Sequence, residues 1–128
     1  MTDKIVVMVT CGSQAEAKKI ARAVVEARLA ACANVMGGPV QSIYRWKGKV
    51  ETAKEVLVLM KSTRKRFSAL EREIRRLHSY DTPEIIAVPI AEGSKAYLRW
   101  IKESVQIPSR QNLDAARRSA RIVGKVPE

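Results

Sequence analysis

Cysteine and histidine are scarce in this chain of 128 residues, which contains two Cys and one His. Cys11 and Cys32 are too few for a disulfide scaffold, and their separation matches no zinc-site spacing. Buried thiols are therefore the default interpretation. The single imidazole, His78, is by itself a weak signal for catalysis or metal binding.

Long hydrophobic runs are also missing. No apolar stretch approaches the roughly 18 residues that a membrane helix needs. The run IVVMV at residues 5–9 is too short and too rich in β-branched residues for the core of a signal peptide. These absences predict a cytoplasmic protein that does not span a membrane.

Sequence motifs for catalysis are absent too. No Ser lies in a nucleophile elbow, no Cys is adjacent to a His, and no Gly-rich loop precedes a helix in the phosphate-binding pattern. We therefore expect a protein that is not an enzyme.

Acidic residues are outnumbered, with 13 Asp plus Glu against 24 Lys plus Arg, and the formal net charge is +11. Such an excess is typical of proteins that bind nucleic acid or another polyanion. Here the basic residues are spread over every segment, which favours a solvated surface as their explanation.

The hydrophobic pattern at the start of the chain predicts a strand, a helix and a second strand. Residues 4–12, KIVVMVTCG, form an apolar run typical of a central strand covered on both faces. Ser13 and Glu16 have the capping-box spacing that begins a helix. Small side chains at residues 30–37, before a Gly-Gly-Pro break, indicate a second strand packed closely against a neighbour.

Two arms, residues 40–46 and 50–61, flank a turn at Gly48 and predict a β-hairpin whose second arm ends in an apolar run. These arms are long enough to project beyond a small sheet. Tyr44 and Trp46 would then be exposed unless another subunit covers them.

The octet from Leu77 to Glu84, LHSYDTPE, concentrates polar side chains at a predicted helix-to-strand junction. Residues 67–77 before it have helical periodicity, and EIIAVPI after it is typical of a buried strand. Chemistry is therefore expected near this junction. The alternative is a helix stop that simply keeps His78 and Asp81 solvated.

The resulting order, βαββαβα with a last helix capped by Ser94, predicts an α+β fold of the ferredoxin-like, split βαβ type. One antiparallel sheet would carry helices on one face. Since several strands are apolar at both alternating positions, we expect the other face to be buried by oligomerisation.

Four sequence blocks in order resemble the CutA family of divalent-cation tolerance proteins: LAACANV at 29–35, SIYRWKGKVE at 42–51, YDTPEI at 80–85 and YLRWI at 97–101. The resemblance implies a homotrimer of ferredoxin-like protomers, similar in shape to the signal-transducing PII proteins, with long hairpins packed on neighbouring subunits. It also implies a role in tolerance of, or response to, divalent metal ions such as copper.

A copper or other divalent metal site is one implication of the resemblance. In members that carry a metal-binding Cys, it precedes the Thr that ends the first strand, whereas here Val9 precedes Thr10 and Cys11 follows. Cys11, His78 and Glu84 are the candidate ligands, a set that suits copper or zinc. The alternative is a buried structural Cys11 with a solvent-facing His78.

A ligand cleft at a subunit interface is the second implication. Its candidate residues combine a cation, a carboxylate and aromatic rings: Tyr44, Trp46, Lys61, Tyr80, Glu84 and Trp100. In the alternative, Lys61 and Glu84 form an interface ion pair and the aromatic rings fill apolar contacts between protomers.

The resemblance covers about residues 4–105 and implies a domain of residues 1–105, followed by a basic C-terminal tail of residues 106–128. A second candidate function is a basic ferredoxin-like domain that binds nucleic acid, because this fold also includes RNA-recognition domains. IVVMV and IIAVPI supply no aromatic rings for base stacking, so nucleic acid is not the expected partner.

Overall fold

In a computed structural model, which describes residues 2–106, those residues form five strands and three α-helices. The elements are β1 (Lys4–Cys11), α1 (Gln14–Glu26), β2 (Cys32–Val35), β3 (Val40–Trp46), β4 (Lys49–Thr63), α2 (Phe67–Leu77), β5 (Ile85–Pro89) and α3 (Lys95–Val105). The predicted order lacked one strand, because β2 and the two hairpin arms are three separate strands. Apart from Gln106, the predicted tail lies outside the described residues.

The main sheet has the strand order β2-β4-β1-β5, and every neighbouring pair is antiparallel. β1 therefore lies at the centre, as its continuous apolar sequence predicts. This is the order of a split βαβ fold, and the predicted α+β, ferredoxin-like class is confirmed.

One face of the sheet packs on α1 and α2 and forms the main core. Alternate residues of β1, from Ile5 to Cys11, and of β4, from Val56 to Met60, point to this face because side chains alternate along a strand. From the helices, Ile20, Leu70 and Ile74 are completely buried against them. The helical periodicity of the sequence thus corresponds to the stripe that each helix buries.

The second face, which we call the open face, carries α3 over one end. Ile101 and Val105 of α3 form a small separate cluster with Ala31, and the Tyr97 hydroxyl lies 3.7 Å from Cys32 Sγ. The expectation that all helices lie on one face is therefore wrong, because α3 has its own apolar stripe and buries it here. Elsewhere on this face, the β5 side chains Ile86 and Val88 are 49% and 47% exposed.

The hairpin of β3 and β4 extends the sheet beyond β1. The first part of β4 pairs with β3, from Val40↔Glu55 to Trp46↔Lys49, and its later residues pair with β1 and β2. Lys47 and Gly48 connect the arms with φ angles of 50° and 80°. Positive φ at both central residues is typical of the type I′ turn that matches strand twist.

Candidate functional site

The end of β1, the start of α1 and the end of α2 meet at one corner of the domain. Ser13 caps α1 by accepting a hydrogen bond from the Glu16 backbone N–H at 3.2 Å. In a full capping box the Glu16 carboxylate would accept from the Ser13 N–H. Instead it accepts from the Ser79 N–H at 3.2 Å, which ties α1 to the segment that follows α2.

His78 is enclosed at this corner, with a side-chain exposure of 0%. Its Nε2 lies 2.8 Å from the Thr10 carbonyl oxygen, and its Nδ1 accepts the Tyr80 backbone N–H at 3.1 Å. Because a carbonyl only accepts, Nε2 carries the proton and Nδ1 offers its lone pair. The alternative of a solvent-facing His78 is therefore wrong, since the imidazole links the end of β1 to the Tyr80 turn.

Cys11, Glu16 and His78 each place a potential ligand atom within 4.8 Å of the others. The Glu16 carboxylate is 3.3 Å from His78 Nδ1. Two of the predicted metal ligands, Cys11 and His78, thus come together, but Glu84 is outside this group and lines a cleft instead. Glu16 was missed; its sequence signal is its place in the first turn of the helix that directly follows the strand carrying Cys11.

The donor set of this group, one sulfur, one imidazole nitrogen and one carboxylate oxygen, suits zinc or copper. Two changes would accompany binding: the Cys11 thiol would lose its proton, and Nδ1 would give up the Tyr80 N–H. Burial raises the pKa of the Cys11 thiol to about 11, and the carboxylates of Glu16 and Glu55 raise it as well. A bound cation would lower the pKa of this thiol, opposite to the effect of the two carboxylates.

We expect the buried Cys11 thiol to make the fold less stable at alkaline pH. The thiol pKa is 9.0 ordinarily and about 11 in the fold, so the folded state holds this proton more tightly. The free energy of unfolding should be highest below pH 9 and should fall by up to roughly 2–3 kcal/mol as the pH rises through 11. Urea unfolding of wild type and Cys11→Ala across pH 8–11 measures this loss, which should be smaller in the variant.

Cys32→Ala is the matched control, because Cys32 is partly exposed beside α3. Its pH profile should follow that of the wild type. If the free energy of unfolding falls equally between pH 8 and 11 in the Cys11 and Cys32 variants, Cys11 is not the group responsible for the loss.

A cleft of about 580 Å³ lies beside this corner, between the hairpin and the Tyr80 turn. The hairpin contributes Tyr44, Trp46 and Glu55, and the turn contributes Tyr80, Asp81 and Glu84. Four of the predicted cleft residues are therefore brought together: Tyr44, Trp46, Tyr80 and Glu84.

Lys61 and Trp100 lie elsewhere in the protomer. Lys61 Nζ donates a hydrogen bond to Asn34 Oδ1 on β2, and the Trp100 ring packs on Tyr97 of α3 with ring centroids 5.3 Å apart. The pairing of Lys61 with Glu84 is not formed within one protomer. Glu55 and Asp81 also line the cleft and were not predicted there. For Glu55 the available sequence signal is its position directly before the apolar run of β4.

Tyr80 connects the cleft to the Cys11 corner. Its hydroxyl donates to Glu55 Oε2 at 3.1 Å, and its ring lies 4.7 Å from the His78 ring between centroids. Burial and the bond to Glu55 raise the pKa of Tyr80 to about 12, so the phenol remains a neutral donor at physiological pH. A Cβ on Gly12 would lie 3.1 Å from this hydroxyl, so Gly at that position leaves room for the phenol.

The fold and site together define a class: small ferredoxin-like α+β proteins with a projecting hairpin beside a Cys–Glu–His corner. The chain belongs to the CutA1 family, because the family model described as CutA1 divalent ion tolerance protein matches residues 5–104.

Individual relatives are similar over most of the described residues. The divalent-cation tolerance protein CutA of Thermus thermophilus is 48% identical over 99 residues, 77% of this chain and 95% of that protein. The human protein CutA is 45% identical over 95 residues, and there the match covers 52% of the relative's own length. The chain thus spans nearly all of the bacterial protein and about half of the human one.

Solved structures agree with this assignment. The Thermus thermophilus Cut A1 structure matches with a TM-score of 0.77 and 46% identity, covering 79% of this chain and 97% of that one. A structure titled as the periplasmic divalent cation tolerance protein CutA of Archaeoglobus fulgidus also has a TM-score of 0.77, at 38% identity over 80% of this chain and 99% of that one. Within residues 2–106, no helix is long and apolar enough to cross a membrane.

Proposed function

We propose that this CutA-family chain is a cytoplasmic homotrimer that responds to divalent metal ions, copper in particular, without catalysing a reaction. In this proposal the metal binds at Cys11, Glu16 and His78, and a small ligand occupies the cleft at a subunit interface. The observation that carries the proposal is the approach of one sulfur, one carboxylate and one imidazole to within 4.8 Å of one another.

The choice of copper follows from the donor atoms. Thiolate and imidazole favour copper and zinc over magnesium or calcium, and copper binds such ligands more tightly than zinc does. A cytoplasmic location agrees with both cysteines being free thiols.

Large apolar side chains that are exposed in the isolated protomer support trimer formation. Ile86 and Val88 on the open face are about half exposed, and Ile43 and Val50 on the hairpin are 69% and 62% exposed. Large exposed apolar patches mark interaction sites in soluble proteins. A neighbouring copy whose hairpin lies on this face would remove it from water.

Metal titration of the purified protein tests the proposed site. Calorimetry with Cu²⁺ and Zn²⁺ is carried out on wild type, Cys11→Ser and Glu16→Gln, with Cys32→Ser and Glu84→Gln as matched controls. Outer-shell substitutions alone cost about 10-fold to 100-fold in metal affinity. We therefore expect the first two variants to bind at least about tenfold more weakly, and the controls to bind like the wild type.

The dependence on pH gives an independent readout. Because the Cys11 thiol, with a pKa of about 11, must lose its proton to ligate, the apparent affinity should rise by about tenfold per pH unit between pH 6 and 8. Thiol content after each copper titration shows whether Cys11 has ligated the metal or been oxidised. Equal affinity in all five proteins would show that the ions bind elsewhere.

A further inference from the structure

The cleft has the opposite charge to the rest of the chain. Its lining includes the carboxyl groups of Glu55, Asp81 and Glu84 and, among the described residues, no Lys, Arg or His. The whole chain has a formal net charge of +11. In residues 2–106, none of these three carboxylates has a cationic nitrogen within 4.0 Å.

Glu55 is the most buried of the three, with an exposure of 8%. Its hydrogen-bond partner is the Tyr80 hydroxyl, a neutral group that supplies one bond to one carboxylate oxygen. A carboxylate withdrawn from water is costly unless a positive charge compensates it. Glu55 therefore provides a strong attraction for a cation that enters the cleft.

Three aromatic rings complete the walls. Tyr44, Trp46 and Tyr80 all line the cleft, and each residue is partly exposed in the protomer. Aromatic faces attract cations, and they do so best for alkylated ammonium groups, which lose little hydration on entering an apolar cage. A volume of about 580 Å³ is within the usual range for small-molecule sites.

We propose that this cleft binds a small organic cation of the alkylammonium class, held between the aromatic rings of Tyr44, Trp46 and Tyr80 and the carboxylates of Glu55 and Glu84. The inference deepens the small-ligand part of the proposed function and is independent of the metal group. Its ligand class follows from the charge and the aromatic lining alone.

Choline is a suitable probe, because its uncharged isostere 3,3-dimethylbutan-1-ol has the same shape without the positive charge. The chain has two Trp residues, so Trp100→Phe leaves Trp46 in the cleft as the single fluorescent indole. Trp46→Phe conversely leaves Trp100 on α3 and serves as the matched control. Both titrations are performed on the assembled protein at constant ionic strength, with NaCl replacing choline chloride.

We expect choline to change Trp46 emission saturably and the isostere to bind at least about tenfold more weakly. Emission of Trp100 in the control should not change. In the Trp100→Phe protein, Glu55→Gln should weaken choline binding by about tenfold and leave binding of the isostere unaltered. Glu16→Gln should change metal affinity without changing choline affinity.

Several results would overturn the inference. Equal binding of choline and its isostere would show an apolar pocket without charge selection. No saturable change at Trp46 would show that the cleft of the assembled protein does not bind choline. Failure of metal binding at Cys11 would be visible in the calorimetric titrations alone, so the two proposals can fail separately.

Discussion

Ile86→Lys is expected to convert the proposed trimer into monomers at micromolar concentration. Ile86 lies on β5 opposite Met8, on the open face, and about half of it is exposed in the protomer. In the trimer this face would be covered, so a Lys side chain there would either bury an unpaired charge or hold the subunits apart. Light scattering should give 14.3 kDa instead of three times that mass.

The matched control is Val25→Lys, which makes the same kind of change on α1 at the opposite side of the sheet. Val25 is an exposed apolar residue, and its replacement should leave the trimer intact. A trimeric Ile86→Lys variant would show that β5 is outside the interface. A monomeric wild type would contradict the proposed trimer itself.

His78→Ala should lower the free energy of unfolding by about 2–4 kcal/mol in metal-free protein. The substitution leaves a cavity where the imidazole was. It also removes the partners of the Thr10 carbonyl and the Tyr80 N–H, at a site that water does not reach. Urea unfolding in the presence of EDTA measures the change, at one fixed protein concentration because assembly shifts apparent stability.

Glu84→Ala is the control for this experiment, since Glu84 is exposed in the cleft and should change stability by less than about 0.5 kcal/mol. His78→Asn should recover part of the loss, because its amide can both donate and accept a hydrogen bond. A loss below 1 kcal/mol in His78→Ala would mean that the imidazole does not hold this corner together.

His78 also explains how the metal site and the cleft could influence each other. A metal ion bound at Nδ1 would take the lone pair that accepts the Tyr80 N–H, and the Tyr80 hydroxyl donates to Glu55 in the cleft. Binding at one site would therefore shift a wall of the other. Such coupling is reciprocal in free energy, so a cleft ligand that fixes Tyr80 would weaken metal binding by the same factor.

The local elements of this fold were predictable because their signals act over a few residues. The helix Phe67–Leu77 follows from its apolar periodicity, and Ser13 and Ser94 begin helices because their hydroxyls accept a backbone N–H. Strand ends were less exact: β2 is Cys32–Val35 instead of 30–37, since pairing with β4 decides where it stops.

The sequence by itself determined the class of fold and the family, through periodicity, caps and four ordered blocks of residues. Only the tertiary structure decided the members of each site. It placed Glu16 beside Cys11 and His78, and it left Glu84 in the cleft with Glu55 and outside that group. It also paired Lys61 with Asn34 on β2, away from the cleft. The physical reason is that strand register and helix packing bring together residues from separate elements, and no local pattern in the chain encodes those distances.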